Sequence, residues 1–158
     1  MVSRENWTVF INLSWHKFIG SFHLCFVIFI VYFTPCKELT VTLREMIDLL
    51  DAEVFVGHDK LDLDITKAGC SDSMSDVQMI GQAGMLLLTG QTNPHAIQTA
   101  HNVGIAAVII VRGKRPLSET VQLAKELQMP LLSTKYILFE TAGRLYSKGV
   151  VGNVQKIE

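Results

Sequence analysis

The stretch "MLLLTGQTNPHAIQTAHNVGIAAVIIVRG", residues 85–113, decides how this chain folds. It opens with apolar residues that do not alternate with polar ones, the pattern of a strand covered on both faces. A short polar loop follows and leads to Asn93 and Pro94. Asn93 can cap a helix, and Pro94 suits the first helical position, where a missing N–H costs nothing. Ile97 and Ala100 then share an inward face, and Gly104 stops the helix. A second uniform apolar run begins almost at once. This spacing predicts βα units in a parallel sheet.

Working outward, the pattern recurs. "AAVIIVRG" is followed by a helix predicted to run to Gln128, with Leu117, Val121, Ala124 and Leu127 as its buried stripe and Pro130 beyond it. "MPLLSTK" leads to a helix ending near Ser147, with Thr134 as cap, Leu138, Ala142 and Leu145 beneath, and Gly149 past its end. Repeats of about 22 residues also occur in solenoids, but three units are few for one. The expected fold is therefore α/β: a small three-layer-like domain whose mostly parallel sheet is built from successive βα units.

Upstream, Thr42 and Glu45 have capping-box spacing, and Leu43, Met46, Ile47 and Leu50 make one apolar helical face. "EVFVG" reads as a strand closed by Gly57, and "HDKLDLDITKAG" as a hairpin or a solvated edge. "SDSMSDVQMIGQAG" offers Asp72 or Ser73 as the cap of a short helix through Val77 and Ile80. The end, "VVGNVQKIE", reads as a closing edge strand or a tail.

The chain has two unlike parts. Six of its 8 Phe and both Trp lie in the first 33 residues, whereas all but three charged residues lie from Lys37 onward. Residues 1–36 form a hydrophobic N-terminal segment, and residues 37–158 a soluble domain. Within the segment, "FIGSFHLCFVIFIVYF" is somewhat short for a membrane span, though Trp15 and Tyr32 suit the interfaces. Two readings stand: a membrane anchor, or an extension upstream of the true start. A cleaved signal fits less well, because no small-x-small site precedes Cys36. Of the three cysteines only Cys70 lies in the soluble part, which suits a cytoplasmic setting. The formal charge of −1 gives no basic field for nucleic acid.

In an open α/β sheet, ligands sit outside the carboxyl ends of the strands. Here those loops carry Thr89, Gly90, Gln91, Thr92 and Asn93 after one strand, Arg112, Gly113, Lys114 and Arg115 after the next, and Ser133, Thr134 and Lys135 after the third. If the strands are neighbours, the loops share one rim. Its cations and helix N-termini favour an anion, a phosphate or a carboxylate. The same residue types also start helices with no ligand at all.

No phosphate-loop motif or dinucleotide fingerprint is present, and "GQAG" is not one. His95 and His101 are six apart, the wrong spacing for one helical face. Asp59, Asp62 and Asp64 lack the glycine and bidentate Glu of a calcium loop. No metal site, nucleophile or cofactor is expected.

The succession "LREMIDLLDAEVFVG", "SDSMSDV", "GMLLLTGQTNPHAIQTAHNVGIAAVIIVRGKRP" and "LAKELQMPLLSTKYILFETAGRLY" resembles the DRTGG domain family, over residues 41–149. The literal signature is absent: Gly90-Gln91-Thr92 and Val111-Arg112-Gly113 stand where it would be sought. Members occur as small stand-alone bacterial proteins and as regulatory segments of larger enzymes. Their fold is similar to the α/β N-terminal domain of HPr serine kinase/phosphatase, whose kinase activity resides in a separate P-loop domain. The resemblance implies a non-catalytic regulatory or sensory domain. It would bind a nucleotide or phosphorylated metabolite at the rim and self-associate as a homo-oligomer. In that reading Gly90 permits close backbone approach, Asn93 and Thr134 position helix N-termini, and Arg112, Lys114 and Lys135 supply charge. The alternative is a ligand-free module that docks a partner enzyme.

Overall fold

The computed structural model describes residues 40–153. The chain divides into two units, Met1–Lys37 and Glu38–Glu158, and everything described lies in the second. The hydrophobic segment at residues 18–33 falls outside the described residues. Among those described, no helix is long and apolar enough to cross a membrane.

Strand β1 (Val41–Thr42) runs directly into helix α1 (Leu43–Leu50). The predicted capping box is present. The Thr42 hydroxyl accepts from the Glu45 amide at 3.3 Å, and the Glu45 carboxylate accepts from the Thr42 amide at 2.8 Å. Leu43, Met46 and Leu50 are fully buried, and Asp51 closes the helix at φ 46°.

Six further strands and four helices follow in the order β2 (Glu53–Val56), β3 (Asp64–Ile65), β4 (Lys67–Cys70), α2 (Met74–Ile80), β5 (Leu86–Thr89), α3 (Pro94–Val103), β6 (Ala107–Ile110), α4 (Ser118–Glu126), β7 (Leu131–Ser133) and α5 (Leu138–Ser147). β8 (Val151–Gly152) completes the set. The main sheet has the order β2-β7-β6-β5-β4-β8, with β2 antiparallel to β7 and every other pair parallel. β1 and β3 form a separate antiparallel pair.

Side-chain alternation divides the core in two, because successive residues of a strand point to opposite faces. Leu86, Leu88, Ala107, Ile109 and Leu132 pack with the buried residues of α1 and with Leu145 of α5. Leu87, Val108, Ile110 and Leu131 pack with Val77 of α2, Ile97 and Ala100 of α3, and Ala124 of α4. Each fully buried Leu or Ile contributes about 1.5–3 kcal/mol relative to exposure. Two apolar layers on one sheet explain why β5 and β6 read as uniform hydrophobic runs.

Three local expectations are corrected. The region 58–69 is not a hairpin: Asp64 and Ile65 pair back with β1, while Lys67–Cys70 enters the main sheet between β5 and β8. Leu117 is not in the buried stripe. The helix starts only after it, so Leu117 takes the extended cap position and is 49% exposed; Ala124 is buried as expected, and Thr120 is buried beside it. Thr134 does not cap α5, whose N-cap is Ile137 without a side-chain bond. Thr134 is buried, and its hydroxyl donates to the Leu50 carbonyl at 2.6 Å. That carbonyl belongs to the last turn of α1, which has no intrahelical donor of its own.

Candidate ligand-binding rim

Because β4, β5, β6 and β7 are parallel neighbours, their carboxyl ends lie along one edge. Residues 90–93, 111–117 and 134–137 meet there, as the spacing of the apolar runs predicts. A fourth loop, residues 71–73 after β4, joins them. The helices after β4, β5 and β6 cover one face, whereas α5, after β7, covers the other. The direction of connection therefore reverses between β6 and β7, the kind of place where open α/β sheets bind ligands.

Main chain bridges that crevice. The Arg112 amide donates to the Tyr136 carbonyl at 2.8 Å, and the Gly113 amide donates to the Thr134 carbonyl at 2.9 Å. The Ser133 hydroxyl donates to the Lys114 carbonyl at 2.8 Å. To make this turn, Arg112 and Gly113 both take positive φ, 71° and 64°. For a non-glycine residue that conformation costs about 1–3 kcal/mol and persists only where its surroundings enforce it.

From that turn the Arg112 side chain reaches across the rim. The Arg112 guanidinium donates to one oxygen of the Asp72 carboxylate. The other oxygen accepts from the Gly90 amide at 2.5 Å and from the Thr89 hydroxyl at 3.2 Å. The guanidinium lies directly over Gly90, where a β-carbon would collide with it. Partial burial works against the Asp72 charge, but the Gly90 amide, the Arg112 guanidinium and the Thr89 hydroxyl outweigh it, holding the carboxyl below the usual carboxylate range. The close approach expected at Gly90 is thus taken by the chain's own arginine.

The other expected residues form the frame around this cluster. Gln91 donates to the Asp72 carbonyl at 3.0 Å and receives the Asn93 side-chain amide at 3.1 Å. Asn93 caps α3 by accepting from the Ala96 amide at 3.2 Å. The Thr92 carbonyl receives the Thr120 hydroxyl at 2.7 Å and the Leu117 amide at 3.2 Å, tying this loop to the start of α4.

The rim's cations differ in availability. Arg112 is engaged by Asp72, and Arg115 by both oxygens of Glu53 at 3.1 Å. The Lys114 ammonium donates to the Gly90 carbonyl at 2.8 Å and, among the described residues, has no ion-pair partner. Lys135 is exposed and, among the described residues, has no ion-pair partner. His58, His95 and His101 are exposed and scattered. Asp62 pairs with Arg44 at 3.0 Å, and no group of three or more His, Cys, Asp or Glu among the described residues could hold a metal ion.

Asp72 is the member that sequence reasoning missed as a site residue. Its partners are 18 and 40 positions away, beyond any local motif.

Comparison with known proteins agrees with this architecture. No curated protein matches the chain. Among solved structures it is similar to the CBS and DRTGG domains of the regulatory region of Clostridium perfringens pyrophosphatase, crystallised with the activator diadenosine tetraphosphate. The identity is 16% and the TM-score 0.60, over 83% of this chain and 59% of that one, a likeness of fold. The present chain thus spans about three-fifths of that structure's length. The model of the DRTGG domain matches residues 45–147, nearly the whole of the described α/β unit, and the chain belongs to the DRTGG domain family.

Proposed function

We propose that this domain is a non-catalytic regulatory module that binds a nucleotide or small phosphorylated metabolite at the rim. One observation carries the reading: a hydroxyl, a main-chain amide and a guanidinium, from Thr89, Gly90 and Arg112, converge on a single anionic group. Such a donor set suits one phosphate or carboxylate. Lys114 and Lys135 on the neighbouring loops add positive charge for a longer anion. The similar pyrophosphatase region, described with a nucleotide activator, supports the same class of ligand.

The test is thermal unfolding of the full chain against nucleotides, diadenosine tetraphosphate, coenzyme A and small phosphorylated metabolites. A ligand at 100 times its Kd adds about 2.7 kcal/mol, a shift of several degrees for a domain of this size. The double substitution Arg112→Ala and Lys135→Ala is expected to abolish that shift while leaving the fold intact.

A second reading, self-association or docking to a partner protein, draws on a different face. Phe139 and Tyr146, 84% and 67% exposed, lie two turns apart on one side of α5. Two exposed aromatics on one helical face suit a protein contact. No thermal shift with any compound, together with concentration-dependent sedimentation, favours this second reading.

A further inference from the structure

We propose that Asp72 is an internal occupant of the rim's anion site, so that a ligand binds by displacing a carboxylate of the chain itself. The inference rests on the anion-binding reading above and adds a gate to it. Its basis is geometric. The three donors that converge on one anionic group are all in use: both Asp72 oxygens are engaged, one by Thr89 and Gly90 and the other by Arg112. The loop that brings Asp72 is a separate element, held to the rim by those bonds, by Gln91 on the Asp72 carbonyl and by the Ser71 amide on the Leu88 carbonyl. Arg112 and Asp72 are both about two-fifths exposed, at 40% and 44%, so an anion in solvent reaches the pair directly.

Two consequences follow for specificity. A monoanion offers no more than Asp72 already supplies intramolecularly, whose effective concentration favours the chain's own group. A polyphosphate can take over the Thr89, Gly90 and Arg112 donors with one phosphate. It can also engage Lys114 and Lys135, which Asp72 does not touch. The occupied site therefore selects for extended anions. Apparent affinity is reduced by the fraction of molecules in which Asp72 has left the donors.

The experiment is calorimetric titration of the full chain with inorganic tripolyphosphate and with ATP. It compares the unmodified protein with Asp72→Asn, Asp72→Ser and Asp76→Asn. Asp76 is an exposed carboxylate in the first turn of α2, so its substitution removes a nearby charge without touching the site. If Asp72 holds the donors at least about nine-tenths of the time, both Asp72 variants bind at least about tenfold tighter than the unmodified protein. Asp76→Asn is then expected to stay within about twofold of it. The serine variant keeps the result readable if the asparagine variant folds poorly. Equal affinity in the unmodified protein and the Asp72 variants, or equal tightening by Asp76→Asn, overturns the gate while the anion site stands. Binding by none of the proteins overturns both.

Discussion

The Arg112 guanidinium lies over the α-carbon of Gly90, in the space where any side chain at position 90 would begin. The two residues lie just past the ends of neighbouring parallel strands, which the sheet register brings level, with Thr89 opposite Ile110. Gly90→Ala is expected to push Arg112 away from Asp72. Only the far end of a flexible, half-exposed side chain has to move, so the cost to stability stays under about 1 kcal/mol. In an Arg112→Ala background the same substitution is expected to cost nothing further. Chemical denaturation of the two single variants and the double variant measures the coupling.

Thr134 ties the end of β7 to the last turn of α1 through the Leu50 carbonyl, 2.6 Å away and buried. Thr134→Val keeps the volume and removes the donor. The expected loss is about 1–3 kcal/mol, that of a buried acceptor left unpaired. Urea unfolding measures it, and Thr134→Ser, which keeps the hydroxyl, is expected to lose less.

The charge of Asp72 links stability to pH. Its carboxyl is held below the usual range in the folded chain. A depressed carboxyl stabilises the fold fully above its unfolded pKa of about 3.9, and that contribution disappears as pH falls through the folded value. The stability difference between the unmodified protein and Asp72→Asn is therefore expected to be flat above about pH 5 and to shrink below about pH 4. A difference that grew on acidification would contradict the assignment.

Glycine to alanine is expected to have opposite signs at two positions. Gly57 has φ 95°, and a β-carbon there would lie 2.9 Å from the Pro130 α-carbon, which cannot swing aside. Gly57→Ala is expected to cost about 1–3 kcal/mol. Gly143 lies exposed in α5 with open space around it. Gly143→Ala is expected to stabilise by about 0.5–1 kcal/mol, through helix propensity alone. Thermal unfolding of the two variants side by side checks both.

What the sequence made legible was local. Thr42 with Glu45, Asn93 with Pro94, and Gly104 each mark a helix end through bonds spanning three to five residues, and all three ends are where the spacing predicts. The uniform runs of β5 and β6 announced burial on both faces and hence parallel pairing. β4 was illegible because "KAGC" is small, polar at its start and half exposed, and it becomes a strand only through neighbours on either side. Thr134 resembled a cap because a threonine after a strand often is one. Its true partner is 84 positions upstream. The rim itself could be listed from loop positions, whereas its central contact, Asp72 with Arg112, depends on which strands become neighbours.

The march of β4, β5, β6 and β7 across the sheet has a kinetic consequence. Each strand adds beside the one made just before it, so the middle of the sheet assembles from short loop closures. The two outer strands differ: β2 meets β7, and β8 meets β4, across about eighty residues, contacts that are slow to form and first to open. Native-state hydrogen exchange should therefore find the amides of β5 and β6 exchanging only through global unfolding. Those of β2 and β8 should be released in smaller openings that leave the centre of the sheet intact.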